Sequence, residues 1–76
     1  MARLPVVSGA EAVRAFQRDG WVVDRQRGSH VVMLKQGRNV SLSVPQHREL
    51  APGTLRSLIR LAALTVSEFP ALVEGD

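Results

Sequence analysis

Arg25-Gln26-Arg27-Gly28-Ser29-His30 places two cations, a hydroxyl and an imidazole within six consecutive residues. Imidazole is the side chain whose unperturbed pKa, roughly 6.5, lies near neutral, so His30 can take or give a proton at physiological pH. Guanidinium groups stay charged and match phosphate geometry, which makes Arg25 and Arg27 candidates to hold a phosphate, with Lys35 as a further one. Ser29 can donate or accept a hydrogen bond. Gly28 permits a positive φ or a close backbone approach. Such a set suits phosphodiester chemistry. RNA cleavage without a metal needs a base for the 2′-OH, an acid for the leaving 5′-oxygen, and cations to stabilise the phosphorane. His30 is the candidate acid–base, oriented by the Gly28-Ser29 turn. His47 is a second titrating candidate if its loop folds back toward that turn; otherwise it is a solvated or capping loop histidine. Arg56 and Arg60 stand four apart, on one helix face. They are either a solvated surface or contacts to an RNA backbone, since duplex RNA is read mainly through shape, phosphates and 2′-hydroxyls.

Other chemistries have little to work with. The two histidines are seventeen residues apart, there is no cysteine, and no carboxylate cluster or His-x-x-x-His spacing accompanies them, so no metal site is expected. No glycine-rich nucleotide-binding loop is present, and no cofactor is expected.

The elements that must position these residues can be read in order. Ser8-Gly9-Ala10-Glu11 is a capping box that predicts a helix to about Asp19, ended by Gly20. Trp21 to Arg25 reads as a strand, Gln26 to Ser29 as a turn, and His30 to about Gln36 as a second strand. Gly37-Arg38-Asn39 reads as another turn. Val40-Ser41-Leu42-Ser43-Val44 alternates strictly, which predicts a third strand with its valines and leucine buried and its serines wet, ended by Pro45. Pro52 opens a helix to about Ala62, with Leu55, Leu58, Ile59 and Ala62 as its apolar stripe. Thr65-Val66-Ser67-Glu68 is a second capping box, opening a short helix to about Leu72 in which Pro70 limits the length. The order is α-β-β-β-α with a short final helix: an α+β, two-layer sandwich in which helices cover one face of a three-stranded meander.

Val31-Val32-Met33-Leu34 is apolar on both sides, so periodicity leaves the facing of His30 open. If His30 points to the uncovered face, Val32 and Leu34 share that face and form an apolar patch suited to a partner. The opposite register buries all three and makes the histidine structural. Trp21 and Phe16 read as core residues rather than base-stacking platforms.

The chain has 76 residues, read as one domain spanning 1–76, and 45% of them are hydrophobic, enough to fold. Net charge is +3; residues 1–67 carry ten cations against four anions, and nine of the ten cations are arginine. This balance suits a polyanion partner. Met1 to Val7, containing Arg3 and Pro5, is too short for a signal-peptide core. The apolar runs Val31–Leu34 and Leu61–Leu64 are too short to span a bilayer. The expectation is a soluble, cytoplasmic protein.

The ordered set of motifs resembles the HicA (YcfA-like) toxins of bacterial toxin–antitoxin pairs, over about Leu4 to Leu72. The resemblance is carried by Leu4-Pro5-Val6-Val7-Ser8-Gly9, Gly20-Trp21, Arg25 to His30, Val44-Pro45-Gln46-His47, Glu49-Leu50 with Gly53-Thr54-Leu55-Arg56, and Thr65 with Glu68-Phe69. It implies a double-stranded-RNA-binding-domain-like fold and an mRNA-cleaving, translation-blocking toxin neutralised by a HicB-type antitoxin, with the catalytic histidine falling on His30. The sequence departs from the family pattern at Ala63, where glycine is usual, and at Gln46, where a second histidine often precedes His47. The antitoxin is expected to cover His30, Val32 and Leu34. The alternatives are a non-catalytic RNA-binding module of the same fold, or a plain interaction protein.

Overall fold

A computed structural model describes residues 3–75, in the order α1 (Gly9–Arg18), β1 (Val22–Arg27), β2 (His30–Leu34), β3 (Leu42–Pro45), α2 (Pro52–Leu61) and α3 (Phe69–Glu74). The fold is α+β, with the α-β-β-β-α order and short final helix expected of a double-stranded-RNA-binding-domain-like protein. Met1 and Ala2, the start of the Met1 to Val7 segment, lie outside the described residues.

Both capping boxes form. The Glu11 amide donates to the Ser8 hydroxyl at 3.1 Å, and the Ser8 amide donates to the Glu11 carboxylate at 2.8 Å. The bond from the Ser8 amide foremost, with the Ser8 hydroxyl beside it, holds the Glu11 carboxyl below the usual carboxylate range. At Thr65 and Glu68 the same reciprocal pair closes a turn instead of a helix. α3 begins at Phe69, directly after that turn, because Pro70 fits the first helical turn, where its missing N–H is no loss. Pro70 therefore starts α3 rather than limiting it.

Gly20 ends α1 as predicted. Its φ is 102°, and the amides of Gly20 and Trp21 donate back to Gln17 and Phe16. This left-handed cap drops Trp21 into the core, where it is 1% exposed, so the first strand starts at Val22 rather than at Trp21. Ala63 makes the same cap for α2: its φ is 61°, and the amides of Ala63 and Leu64 donate to Arg60 and Ile59. The helix end for which the resemblance implied glycine is thus built with alanine.

The sheet order is β1-β2-β3, all antiparallel. Val31, Met33, Leu42 and Val44 face the helices and join Ala12, Ala15 and Phe16 of α1, Leu55, Leu58 and Ile59 of α2, and Phe69 of α3 in one core. Phe16 and Phe69 lock α1 to α3, with ring centroids 5.2 Å apart. Among the described residues no helix covers the other face of the sheet.

Three boundaries differ from expectation. β2 stops at Leu34, because Lys35-Gln36-Gly37-Arg38 already turns, with Gly37 at φ 85° and the Arg38 amide donating to Lys35. β3 begins at Leu42 and includes Pro45, which an edge strand tolerates because no neighbour needs its N–H. Residues 35–41 therefore form a longer connection than a tight hairpin. The Arg38 guanidinium holds that connection down by donating to the Leu61 carbonyl at the end of α2.

Candidate active site

His30 begins β2 directly after a two-residue turn. Gly28 has φ 59° and Ser29 does not share the positive sign, the pattern of a type II′ hairpin turn, which needs glycine at its first central position. The turn is thus Arg27-Gly28-Ser29-His30, one residue later than the sequence suggested. The Ser29 carbonyl accepts from the Gln46 amide at 2.6 Å, which ties the turn to the end of β3.

The pairing register fixes what faces His30. Val22 pairs with Leu34 and Val23 with Met33; then the register shifts, and Arg25 pairs with Val32, Gln26 with Val31 and Arg27 with His30. The shift is a β-bulge at Asp24, which has no partner of its own. Side chains alternate between faces, so a one-residue slip changes the face of everything beyond it. Without the bulge, Arg25 and Arg27 would point toward the helices. With it, both stand on the open face beside the histidine.

The open face therefore has three cross-strand rows. Arg27, His30 and Pro45 form the first; Arg25, Val32 and Ser43 the second; Val22 and Leu34 the third, with Ser41, just before β3, lining the same depression. Arg25, Arg27, His30, Val32, Ser41 and Ser43 line a shallow depression of about 350 Å³. Directly opposed side chains in such a sheet have Cβ atoms ~5 Å apart, which puts the Arg27 guanidinium within reach of anything His30 touches. Arg25 pairs with the carboxylate of neighbouring Asp24. Among the described residues no ion pair engages Arg27, and none of the side-chain hydrogen bonds involves the His30 ring. A phosphate entering the depression would meet one pre-engaged and one unengaged arginine.

His30 lies half-buried on the open face, the register that leaves it accessible. Val32 shares that face but is only 7% exposed, contrary to the exposed patch expected of it. It sits on the central strand, flanked by Arg25 and Ser43. The apolar exposure falls one row further on, at Leu34 (44%) and Val22 (64%).

The other candidate residues do not converge on this depression. Lys35 pairs with Asp19 at the end of α1 at 3.3 Å and lines a separate surface with Val22, Val23 and Leu34. Its ammonium staples β2 to α1 rather than serving His30. His47 is exposed, gives its backbone carbonyl to the Gly9 amide at 2.9 Å, and does not line the depression. Arg56 and Arg60 are exposed on α2 and line a surface with Leu64 and Val66 from the segment that follows it, away from the open face of the sheet. Among the described residues no group of three or more His, Cys, Asp or Glu could hold a metal ion, and no helix is long and apolar enough to cross a membrane.

Ser41 and Ser43 were the residues sequence reasoning left unassigned. Their alternation with Leu42 and Val44 already put them on the open face; the pairing that sets Ser43 beside the His30 row had no sequence signal.

A family model described as the HicA toxin of bacterial toxin–antitoxin systems matches residues 9–64, from the start of α1 past the left-handed cap of α2. The chain belongs to the HicA toxin family. The match spans all six residues of the depression and most of the chain, so this toxin is one half of a toxin–antitoxin pair and has an antitoxin as its partner. No curated protein matches the chain.

Proposed function

We propose that this HicA-family toxin is an endoribonuclease that cuts mRNA without a metal, with His30 as its acid–base and Arg27 and Arg25 holding the scissile phosphate. The observation that supports it is the bulge at Asp24, which turns both guanidinium groups to the histidine's side. In the reaction the 2′-oxygen attacks phosphorus as His30 takes its proton. The bond to the 5′-oxygen breaks, and that oxygen leaves with a proton from His30 or from water. The products are a 2′,3′-cyclic phosphate and a free 5′-hydroxyl. Arg27 faces the charge that builds on the phosphorane.

With His47 outside the depression, one imidazole carries the acid–base work. Each missing acid or base role typically costs about 10²–10⁴-fold, so the enzyme is slow. Slow cleavage of general mRNA still blocks translation.

A HicB-type antitoxin neutralises this activity by covering the open face from His30 and Val32 to Leu34, using the exposed Leu34 and Val22 side chains as its apolar footing. Slowed amide exchange in residues 28–34 on adding the antitoxin is the expected result; unchanged exchange there would overturn this part.

The deciding experiment compares wild type with His30→Ala on a purified mRNA and in growing cells. Loss of both cleavage and growth arrest, with RNA binding kept, is expected. Undiminished cleavage by the variant would refute the assignment. RNA binding by a wild type that never cleaves would make the protein a non-catalytic RNA-binding module.

A further inference from the structure

Ser41 and Ser43 line the His30 depression, yet the chemistry above uses neither. Both are exposed, and among the described residues neither hydroxyl takes part in a hydrogen bond. A phosphate held between Arg27 and His30 leaves two directions for the neighbouring nucleotide. One runs off the end of the hairpin past Gly28 and Ser29, where the sheet ends. The other runs along the sheet onto the next row. That row has a floor and two walls: Val32 in the centre, nearly flush at 7% exposure, Arg25 on one side and Ser43 on the other. Diagonal neighbours on adjacent strands are ~7–8 Å apart, so Ser43 stands about one nucleotide from the imidazole.

The chemistry of that row fits a base. A planar ring can lie on the valine methyls, with a guanidinium along one edge and a hydroxyl along the other. No aromatic side chain is available to stack on it, so polar contact at the edge is what remains to hold the ring in place. A hydroxyl both donates and accepts, so it reads several base edges with moderate preference.

We infer that Ser43, backed by Ser41 one row further, positions the nucleotide adjoining the scissile phosphate by hydrogen bonding its base edge, and so sets a cleavage-site preference. The inference rests on the ribonuclease reading for its placement of the phosphate. It gives Ser43 a positioning and specificity role, with no part in proton transfer.

The test uses the full chain, wild type, Ser43→Ala, Ser43→Thr and Ser41→Ala, on an RNA pool randomised around one cleavable position. A net hydrogen bond is worth roughly a three- to tenfold effect. Ser43→Ala is expected to raise KM by about that factor and flatten the preference at one position next to the cut, with kcat and the pH profile unchanged. Ser43→Thr keeps the hydroxyl and restores both; Ser41→Ala has the smaller effect. Unchanged KM and preference in Ser43→Ala overturns the inference while leaving the ribonuclease reading intact. A wild type that cleaves nothing refutes the ribonuclease reading instead. Binding of the uncleaved randomised RNA pool then decides Ser43 separately, and equal affinity and base preference for wild type and Ser43→Ala overturn its role.

Discussion

Replacing Gly9 with alanine should unsettle the histidine site from the far side of the sheet. Gly9 opens α1 against the end of β3, and its amide donates to the His47 carbonyl at 2.9 Å. A β-carbon there would collide with the Pro45 carbonyl oxygen and lie 2.8 Å from the Gln46 α-carbon. These are backbone atoms that cannot swing away, so the helix start and the strand end must separate. Overpacking of this kind costs about 1–3 kcal/mol. Weakening the Gly9–His47 bond adds about 0.5–1.5 kcal/mol, and the better helix propensity of alanine returns at most about 1 kcal/mol. The net expectation is a loss of about 2 kcal/mol, or roughly 8–16 °C in Tm for a domain this small.

Gly53 is the control. It also lies in the first turn of a helix, but a β-carbon there meets nothing within 4 Å, so Gly53→Ala should be neutral or stabilising. Thermal unfolding by circular dichroism measures both. Pro45 is also the cross-strand partner of His30, so Gly9→Ala should slow RNA cleavage at temperatures where it is fully folded, while Gly53→Ala should not. Gly9→Ala melting at or above wild type, or both variants shifting together, would refute the close-approach argument.

Ala63→Gly should stabilise: an L-residue at φ 61° costs about 1–2 kcal/mol, and the freer unfolded glycine chain gives back about 0.4–1 kcal/mol, so a rise of a few degrees in Tm is expected and a fall would contradict the left-handed cap. Glu11 titrates below its ordinary 4.5 in the fold, so the unfolded chain binds its proton first as pH drops; its contribution is complete above about pH 4.5 and vanishes as pH falls through the lowered folded value. Unfolding of wild type and Glu11→Gln across that range should therefore converge in acid, and a constant gap would count against the capping box. Deleting Asp24 removes the bulge but leaves Arg25 opposite Val32 and Arg27 opposite His30 in an unbroken ladder. The salt dependence of RNA binding should keep its slope, whereas a slope shallower by about 1.4 would mean that two phosphate contacts had left the face. Arg27→Ala should lower that slope by about 0.7, and Arg25→Ala by less, because Asp24 already competes for the Arg25 guanidinium.

The fold was legible wherever a local rule acts within one turn of chain. Ser8 with Glu11, Gly20, the Leu55-Leu58-Ile59-Ala62 stripe and the alternation of residues 40–44 each specify an element through contacts three or four residues apart, or through period two. Two misread boundaries share one cause, a distant partner that overrides local preference, and a third reflects a competing local signal. Trp21 leaves β1 because the core takes its ring. The 35–41 connection lengthens where Arg38 reaches the α2 terminus. The Thr65–Glu68 box closes a turn because Pro70 offers a better helix start one turn later.

The site divides along the same line. Arg25, Arg27 and His30 were recognisable by type and spacing, but strict alternation from Val22 puts Val22, Asp24 and Gln26 on one face and Val23, Arg25 and Arg27 on the other. Since Val22 shares the face of His30 through its pairing with Leu34, that count sends both arginines toward the core, the wrong place for phosphate. One unpaired residue reverses the outcome, and Asp24 carries no signature of a bulge; the shift exists only in the pairing of β1 with β2. The same displacement gives Arg25 a carboxylate neighbour while no ion pair engages Arg27 among the described residues. Two arginines that look equivalent in the sequence thereby become unequal, and the one opposite the imidazole is the one free to meet a phosphate.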